Sequence, residues 1–393
     1  MFKCPECDHT HNNIVEKCEN CGYELELDIE KIIPEHFTAI SALTAQLEKN
    51  SLRNLEPKLG NHWNLNNQVS HAFITKLESK FRRKNKFHNF LTKDDLPNSI
   101  PSILKKYINE QITFKELVET FLIKIKLEIS TDGRKFAGVA ENNFIFIHYK
   151  TSLDKGDLGR LLIVMVDKKS GFDFEEVSLT PKELSPIDTD ALRQAALFDL
   201  TLFEVSYPAN DSESYVRFIQ GKSKSDFFKD ALGCRKDVDN DRSIRQLFDA
   251  IFKFADTNRI PTPLRDKIEE TVRGFLQKKS RDKADKSVSL KDIQNRIDKC
   301  LPEENPLKGQ FTIFVNANEY KIDDIFEPTN FSANNASSYD FSDSNRNFSC
   351  KVRKSAIGSQ SSSKPVKIDK ENRCLILPLS DTDYDELIGF AGD

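Results

Sequence analysis

Four cysteines near the start of the sequence have the spacing of a metal site. Cys4 and Cys7 are separated by two residues, as are Cys18 and Cys21, and Gly22 follows the second pair. A two-residue gap lets both thiolates of a pair reach one metal ion from a tight turn, for which the glycine supplies a positive φ. Four thiolates complete a tetrahedral Zn²⁺ site and leave no position for a catalytic water. The spacing therefore predicts a zinc ribbon with one structural Zn²⁺ ion.

This ribbon is expected to span residues 1–27, and two other arrangements compete with it. The cysteines could form two disulfides, but the apolar core of a secretory signal is missing. His9 and His11 could replace a cysteine as ligands, although four thiolates make this unnecessary. The remaining cysteines are scattered, as in a reducing compartment, at Cys234, Cys300, Cys350 and Cys374. Zinc ribbons contact nucleic acid, dock on proteins or cap a terminus, so the ribbon alone does not set the function.

The composition indicates a cytoplasmic protein with a large core. The chain has 393 residues, of which 38% are hydrophobic and 29 are phenylalanines, enough for two or three domains. Its longest apolar run, Leu161–Val166, is too short to cross a bilayer. The net charge of −4 excludes a uniformly basic DNA coat. Any contact with nucleic acid must therefore come from local basic patches.

The hydrophobic periodicity predicts an α+β fold with a largely antiparallel sheet and a helical block. Residues 43–59 mix apolar and charged side chains without a clear period. Strands are predicted at Asn143–Tyr149, Leu161–Val166, Leu197–Val205, Tyr215–Ile219 and Phe311–Val315. Helices are predicted from Val69, at Phe114–Ile125, around Ile244–Phe252, at Thr262–Phe275 and, capped by Ser289, through Ile297.

Residues 215–234 form the most structured stretch of the sequence. A strand breaks at Gly221, a basic turn with Lys222 and Lys224 follows, and a short helix anchored by Phe227-Phe228 ends at Gly233. Lysines and exposed amides between a strand and a helix N-terminus suit a phosphate group. An ordinary β-turn-α connection with solvated lysines is the alternative interpretation.

This stretch resembles the characteristic block of a bacterial nucleoid-associated protein family called NdpA or YejK. The similarity extends, in the family's order, to Val69–Phe90 with its Lys84-Asn85-Lys86 end, Phe144–Tyr149, Leu161–Val166, Ile187–Leu200, Arg242–Ile297 and Asp381–Leu387. It implies an NdpA-like domain over residues 33–393, with a sub-division expected near residues 235–310. The zinc ribbon is not part of the family pattern and reads as an added module.

The resemblance implies a DNA-binding protein of the bacterial nucleoid without catalytic activity, and a homodimer. We expect it to bind duplex DNA through the phosphate backbone, with little sequence preference and strong salt dependence. The positive charge of the side chains indicates two basic clusters as candidate DNA contacts. The first contains Lys76, Lys80, Arg82, Arg83, Lys84 and Lys86, and the second contains Lys222 and Lys224. A third group, residues 278–286, is interrupted by acids and reads as a solvated loop.

Two other functions stay open at this stage. The first is a protein-interaction scaffold or effector component of an anti-phage defence system, with the mildly acidic body as the scaffold. The second is a metal-dependent nuclease, although the sequence has no P-loop, Gly-x-Ser-x-Gly or His-Glu-x-x-His motif. The acids of residues 237–241 match the opening of a calcium-binding EF-hand loop, but Arg242 and Phe248 replace the glycine and glutamate that this loop needs. His148, at a strand end, reads as a structural histidine. We therefore predict that the protein is not an enzyme.

Overall fold

The described part of the chain falls into two compact units. The computed structural model describes residues 2–3, 10–11, 37–51, 54–131, 143–168, 171–174, 181–184, 187–210, 213–219, 227–235, 239–336, 338–342, 347–362 and 364–390. Unit 1 comprises Met1–Asp239 and Thr312–Asp324, and unit 2 comprises Asn240–Phe311 and Ile325–Asp393.

A seven-stranded sheet, antiparallel throughout, forms the frame of unit 1. In spatial order its strands are Leu55–His62 (β4), Thr38–Lys49 (β3), Asn143–Lys150 (β6), Arg160–Lys168 (β7), Ile187–Asp199 (β10), Val216–Ile219 (β11) and Phe87–Asn89 (β5). The described residues of unit 1 also include two antiparallel strand pairs, formed by Phe2–Lys3 (β1) with Thr10–His11 (β2) and by Gly171–Phe174 (β8) with Pro181–Leu184 (β9). The predicted α+β class with a large antiparallel sheet is confirmed.

Both faces of the central strands are buried, which explains their unbroken apolar runs. Along β6, Phe144 and Phe146 enter the core on one face of the sheet, whereas Ile145, Ile147 and Tyr149 enter a second core on the other. Successive side chains of a strand point to opposite faces, so a strand with helices on both sides must be apolar at every position.

Among the described residues of unit 1, five helices cover the sheet or flank it. They are Gln68–Arg83 (α1), Ile100–Ile108 (α2), Phe114–Thr131 (α3), Leu200–Ser206 (α4) and Phe227–Ala231 (α5). Side chains of α1 belong to the core that contains Ile145, and those of α2 and α3 belong to the core that contains Phe144. The predicted helices from Val69 and at Phe114–Ile125 are therefore confirmed.

Unit 2 is built from helices and short strands. Its helices are Asn240–Thr257 (α6), Thr262–Ser280 (α7), Leu290–Cys300 (α8), Asn330–Ala336 (α10) and Asp381–Ile388 (α11); Phe311–Ala317 (α9) begins in unit 2 and continues into unit 1. Its strands are Val288–Ser289 (β12), Ile325–Phe326 (β13), Ser338–Ser342 (β14), Ser349–Arg353 (β15), Ile357–Ser359 (β16), Val366–Asp369 (β17) and Cys374–Ile376 (β18). The three predicted helices of the helical block are confirmed as α6, α7 and α8.

Two predicted strands differ from the structure. The strand predicted at Phe311–Val315 is wrong, because α9 buries Phe311 and Val315 one helical turn apart and leaves Ile313 exposed. The prediction for Leu197–Val205 is half right: β10 ends at Asp199, whose carboxylate accepts a hydrogen bond from the Leu202 N–H (3.0 Å) and starts α4. In both places the apolar composition is typical of a strand. The chain instead forms a helix that buries apolar side chains on one side and leaves Val205 or Ile313 exposed on the other.

Strands β3 and β4 lie in the stretch that had no clear period. The register of β3 shifts against β6 between Ala39 and Ser41, and against β4 between Leu43 and Ala45. The first shift adds a residue to β3 opposite β6, so Ala39 and Ala42, three residues apart, both face the core that contains Ile145. The period-two pattern that identifies a strand is therefore interrupted in the sequence.

Replacing Ser289 by alanine is expected to destabilise α8 by about 1 kcal/mol. Ser289 and Asp292 form a reciprocal capping box, with the Ser289 N–H donating to the Asp292 carboxylate (3.0 Å) and the Asp292 N–H donating to Ser289 Oγ (3.1 Å). Amide hydrogen exchange should then show α8 opening about fivefold more often.

Ser380→Ala is the matched control for this measurement. Ser380 caps α11, a helix with no buried residue, so its loss should leave α8 unchanged. Equal exchange of α8 in wild type and in Ser289→Ala would contradict the prediction.

Candidate nucleic-acid interface

An apolar stripe fixes the orientation of α1 against the sheet. Asn67 caps the helix by accepting a hydrogen bond from the Val69 N–H (2.8 Å). Ile74, Leu77 and Phe81 then lie buried in the core at helical spacing. This stripe determines which of the charged residues of α1 face solvent.

The outward face of α1 carries positive charges and no acid. Lys76, Arg83 and the capping residue Lys84 are exposed, and Lys80 is half-buried. The one acidic residue of α1, Glu78, is only 2% exposed and points into the interior. Positive charge in the last turn also interacts favourably with the helix dipole, so the same residues stabilise the helix end.

Arg82 lies next to this face in the sequence but turns inward. Its Nε donates to the Glu78 carboxylate, and its Nη1 lies 3.0 Å from Glu319 Oε1. The side chain is 11% exposed. Arg82 is thus held in an interior ion-pair network.

Lys86 is buried as well, although it was predicted to contact DNA. Its ammonium donates to the carbonyl oxygens of Arg82 (2.8 Å) and Lys84 (2.7 Å) and lies 3.3 Å from Asn316 Oδ1. Burial, together with the positive charge of Arg217, lowers the pKa of Lys86 to about 7. The structure therefore separates Arg82 and Lys86 from the four basic residues that reach the outward face.

Three arginines from three elements converge on Glu319. Arg82 of α1, Arg160 of β7 and Arg217 of β11 place their Nη1 atoms 3.0, 3.4 and 3.3 Å from Glu319 Oε1. Arg160 also lies 3.7 Å from the carboxylate of Asp199. Burial alone would raise the pKa of Glu319, but the charges of the three arginines outweigh it and hold the pKa at about 2. Glu319 is therefore ionised at neutral pH.

Segment Thr312–Asp324 delivers Glu319 to this cluster and is anchored beside it. The Asp323 carboxylate accepts the backbone N–H of His88 (2.7 Å) and lies 3.2 Å from Nδ1 of the same residue. The Asp324 N–H donates to the Lys86 carbonyl oxygen (2.8 Å). These contacts join the segment to β5 and to the residues that follow α1.

Arg160, Arg217 and Glu319 were not among the predicted site residues. Arg217 did leave a signal, because it stands in the apolar run Val216–Ile219, where a charge needs a partner if both strand faces are buried. The position of Glu319 leaves no comparable signal. Its partners come from distant parts of the sequence, and only the fold brings them together.

The second predicted cluster is described only at its edges. Lys222 and Lys224 lie outside the described residues. The described elements on either side match the prediction: β11 ends at Ile219, α5 begins at Phe227, and Gly233 follows the helix with φ +69°. Lys229 lies over the Phe218 ring (5.5 Å to the centroid), and Arg235 is exposed.

The four predicted zinc ligands, Cys4, Cys7, Cys18 and Cys21, also lie outside the described residues. The strands on either side of the first pair are described: Phe2 pairs with His11 and Lys3 with Thr10, in antiparallel register. Within the described ranges, no group of three or more histidine, cysteine, aspartate and glutamate side chains could hold a metal ion.

His148 uses both ring nitrogens for structural contacts. Nδ1 lies 2.7 Å from the Tyr107 hydroxyl, and Nε2 lies 2.9 Å from the Leu158 carbonyl oxygen. Since a carbonyl oxygen only accepts, Nε2 carries the proton and Nδ1 accepts from the tyrosine. Burial lowers the pKa of His148, so the ring is neutral at pH 7. Both ring nitrogens therefore take part in contacts within the fold, as expected for a structural histidine.

Known proteins similar to this chain are nucleoid-associated. A family model described as nucleoid-associated protein YejK matches residues 46–377, a range that begins after the four cysteines. A nucleoid-associated protein of Pseudomonas entomophila (strain L48) is 25% identical over 209 residues, covering 51% of this chain and 56% of that protein. Nucleoid-associated proteins of Pseudomonas putida strains GB-1 and W619 are 25% and 24% identical over the same length. The chain thus spans about half the length of the curated relatives it matches.

Within the described residues, no helix combines the length and apolar character needed to cross a bilayer.

Proposed function

Because the chain belongs to the nucleoid-associated protein YejK family, we propose that it binds duplex DNA in the bacterial nucleoid through the outward face of α1. The observation that carries the proposal is the absence of acid from this face, all of whose residues the structure describes. Lys76, Lys80, Arg83 and Lys84 present positive charge, whereas the only acid of the helix, Glu78, is buried. A protein with a net charge of −4 needs such a local patch to attract a polyanion.

The contacts would be made to phosphates and not to base edges. Flexible lysine side chains are strongly hydrated point charges, which neutralise phosphates and release counterions without reading sequence. We therefore propose a non-catalytic role with little sequence preference. Lys222 and Lys224 stay candidates for a second phosphate contact, and homodimer formation would place two such faces on one duplex.

Replacing Lys76, Arg83 and Lys84 together by glutamine should weaken DNA binding about 10- to 100-fold near 0.1 M salt. Each lost phosphate contact removes about 0.9 from the slope of log K against log salt, so the slope should become flatter by about 2 to 3. Fluorescence anisotropy with a labelled duplex, measured at four or more salt concentrations, gives both quantities.

The matched control replaces Arg281, Lys283 and Lys286, which are also exposed, by glutamine. It changes the net charge of the protein by the same amount, in the loop predicted to be solvated. Equal losses in the two triple variants would mean that only net charge matters and would overturn the assignment to α1. Absence of wild-type binding at low salt would overturn DNA binding and favour the scaffold function, and Mg²⁺-dependent loss of the probe would favour a nuclease.

The zinc ribbon remains part of the proposal, as an added module. Cys4, Cys7, Cys18 and Cys21 would hold one Zn²⁺ ion, and their four soft thiolates are a donor set that suits zinc. The residues on either side of the first cysteine pair, Phe2–Lys3 and Thr10–His11, form an antiparallel pair. The bound ion would supply folding energy to this segment, and the folded ribbon would add a second DNA contact or a docking surface for a protein.

A further inference from the structure

Three guanidinium groups of unit 1 surround a single oxygen atom. The Nη1 atoms of Arg82, Arg160 and Arg217 all lie between 3.0 and 3.4 Å from Glu319 Oε1. Like charges brought this close repel one another in a region that excludes water. The fold keeps them together only with an anion at their centre.

The acids around this cluster divide their charge unequally. Glu78 pairs with Arg82, and Asp199 lies beside Arg160. Glu319 is the carboxylate that neutralises Arg217, and it also contacts the other two arginines. One carboxylate carries a single charge and two oxygens. A phosphoryl group carries more negative charge than a carboxylate and has three oxygens. The guanidinium group of arginine binds such oxygens in bidentate geometry.

Glu319 closes the cluster on its solvent side. Its side chain is 30% exposed, whereas those of Arg82, Arg160 and Arg217 are 11%, 16% and 9% exposed. Moving this one side chain outward would expose the arginines to solvent without disturbing α1, β7 or β11.

The backbone at Glu319 has the conformation that glycine prefers. Its φ is +55°, and the Tyr320 N–H donates to the Val315 carbonyl oxygen (3.1 Å) at the end of α9. The same left-handed φ follows other helices of the chain, at Glu110 and Arg259, so it marks the end of α9. The ion pairs of the Glu319 carboxylate are the contacts that hold its side chain against the arginines.

We propose that Arg82, Arg160 and Arg217 form a binding site for a phosphoryl group, which the carboxylate of Glu319 occupies as a built-in competitor. The phosphoryl group could belong to a free phosphate compound or to a DNA backbone. Arg82 immediately precedes Arg83, so the site and the outward face of α1 share the last turn of that helix. Only the DNA source rests on the proposed function.

The test removes the competitor in two ways. Glu319→Gly deletes the carboxylate, and Glu319→Gln keeps the shape and removes the charge. Inorganic phosphate and pyrophosphate are titrated by calorimetry at constant ionic strength. We expect at least tenfold tighter binding in both variants than in wild type, and loss of the gain when Arg217→Gln is added.

Glu213→Gln is the matched control, because it removes an acid that pairs with Lys321 of the same segment and acts electrostatically on only one of the three arginines, Arg217. It should bind phosphate as wild type does. Folded Glu319 variants that bind phosphate no better than Glu213→Gln would overturn the site.

A measurement on wild type keeps the test decisive if the variants do not fold. Saturating pyrophosphate should displace Glu319 and speed hydrogen exchange at the end of α9, including the Tyr320 amide. Unchanged exchange would overturn the proposal.

Measurements of duplex binding by the same variants then identify the source of the phosphoryl group. Tighter duplex binding by Glu319→Gly, reversed by pyrophosphate, supports a backbone phosphate at the site. Tighter phosphate binding with unchanged duplex binding supports a free phosphate compound. Because the phosphate titration contains no DNA, it stays informative even if the protein does not bind DNA.

Discussion

Removing zinc from the purified protein is expected to unfold residues 1–27 and to leave the rest of the chain folded. Structural zinc supplies about 10–16 kcal/mol to small metal-folded segments, which have too little apolar surface to fold alone. Residues 1–27 contain few apolar side chains. Unit 1, by contrast, has two hydrophobic cores on the two faces of its sheet. Loss of the metal should therefore stay local.

Chelation is followed with two probes, and metal content is measured by atomic emission before and after. Proteolysis reports the N-terminal segment, which should become cleavable. The fluorescence of Trp63, the only tryptophan of the sequence, reports unit 1 because its ring lies 5.7 Å from that of Phe73 on α1. The Trp63 unfolding midpoint should not change.

Cys4→Ser should reproduce the effect of chelation, and Cys374→Ser is its matched control, since Cys374 is an exposed free thiol. Purified protein without stoichiometric zinc would contradict the prediction. If chelation also shifted the Trp63 transition, the ribbon would be part of the core of unit 1 and not an added module.

The central sheet was predictable because its strands carry local signals. Asn143–Tyr149 and Leu161–Val166 are short, apolar and bounded by turn residues, and they pair in the structure as β6 and β7. Bulged β3 and the strand-like composition of α9 carried misleading local signals. Their outcome depends on which residues meet a core, and this is a property of the whole fold.

The same limit of sequence-based prediction applies to the individual residues of the candidate interface. From the sequence, Arg82 and Arg83 are equivalent members of one basic cluster, as are Lys84 and Lys86. In the structure, Arg83 and Lys84 are exposed, whereas Lys86 is buried and the side chain of Arg82 is only 11% exposed. Two partners hold Arg82 inward: Glu78, one turn earlier on the same helix, and Glu319. The proximity of Glu319 depends on long-range packing that hydrophobic periodicity does not encode.

The buried position of Lys86 has a large consequence for the pH dependence of stability. Its pKa is lowered to about 7 in the folded state, mainly by burial, whereas a lysine in an unfolded chain titrates near 10.4. Below pH 7 both states carry the proton, so the cost of burying the charge is present in full. Between pH 7 and pH 10 the unfolded state holds a proton that the folded state has lost. The free energy of unfolding should therefore rise with pH, by up to about 1.4 kcal/mol per unit.

Replacing Lys86 by methionine should abolish this rise. Methionine has a similar length and no charge, so unit 1 of the variant should gain about 2 kcal/mol less than wild type between pH 7 and pH 9. Urea unfolding followed by Trp63 fluorescence at both pH values gives the difference. Lys84→Met is the matched control, because Lys84 lies two residues away and is exposed, and it should retain the wild-type rise. A rise in Lys86→Met equal to that of wild type would mean that Lys86 keeps its proton in the folded state. The arginine cluster would then carry one more positive charge at neutral pH, and the demand for an anion at Glu319 would be greater.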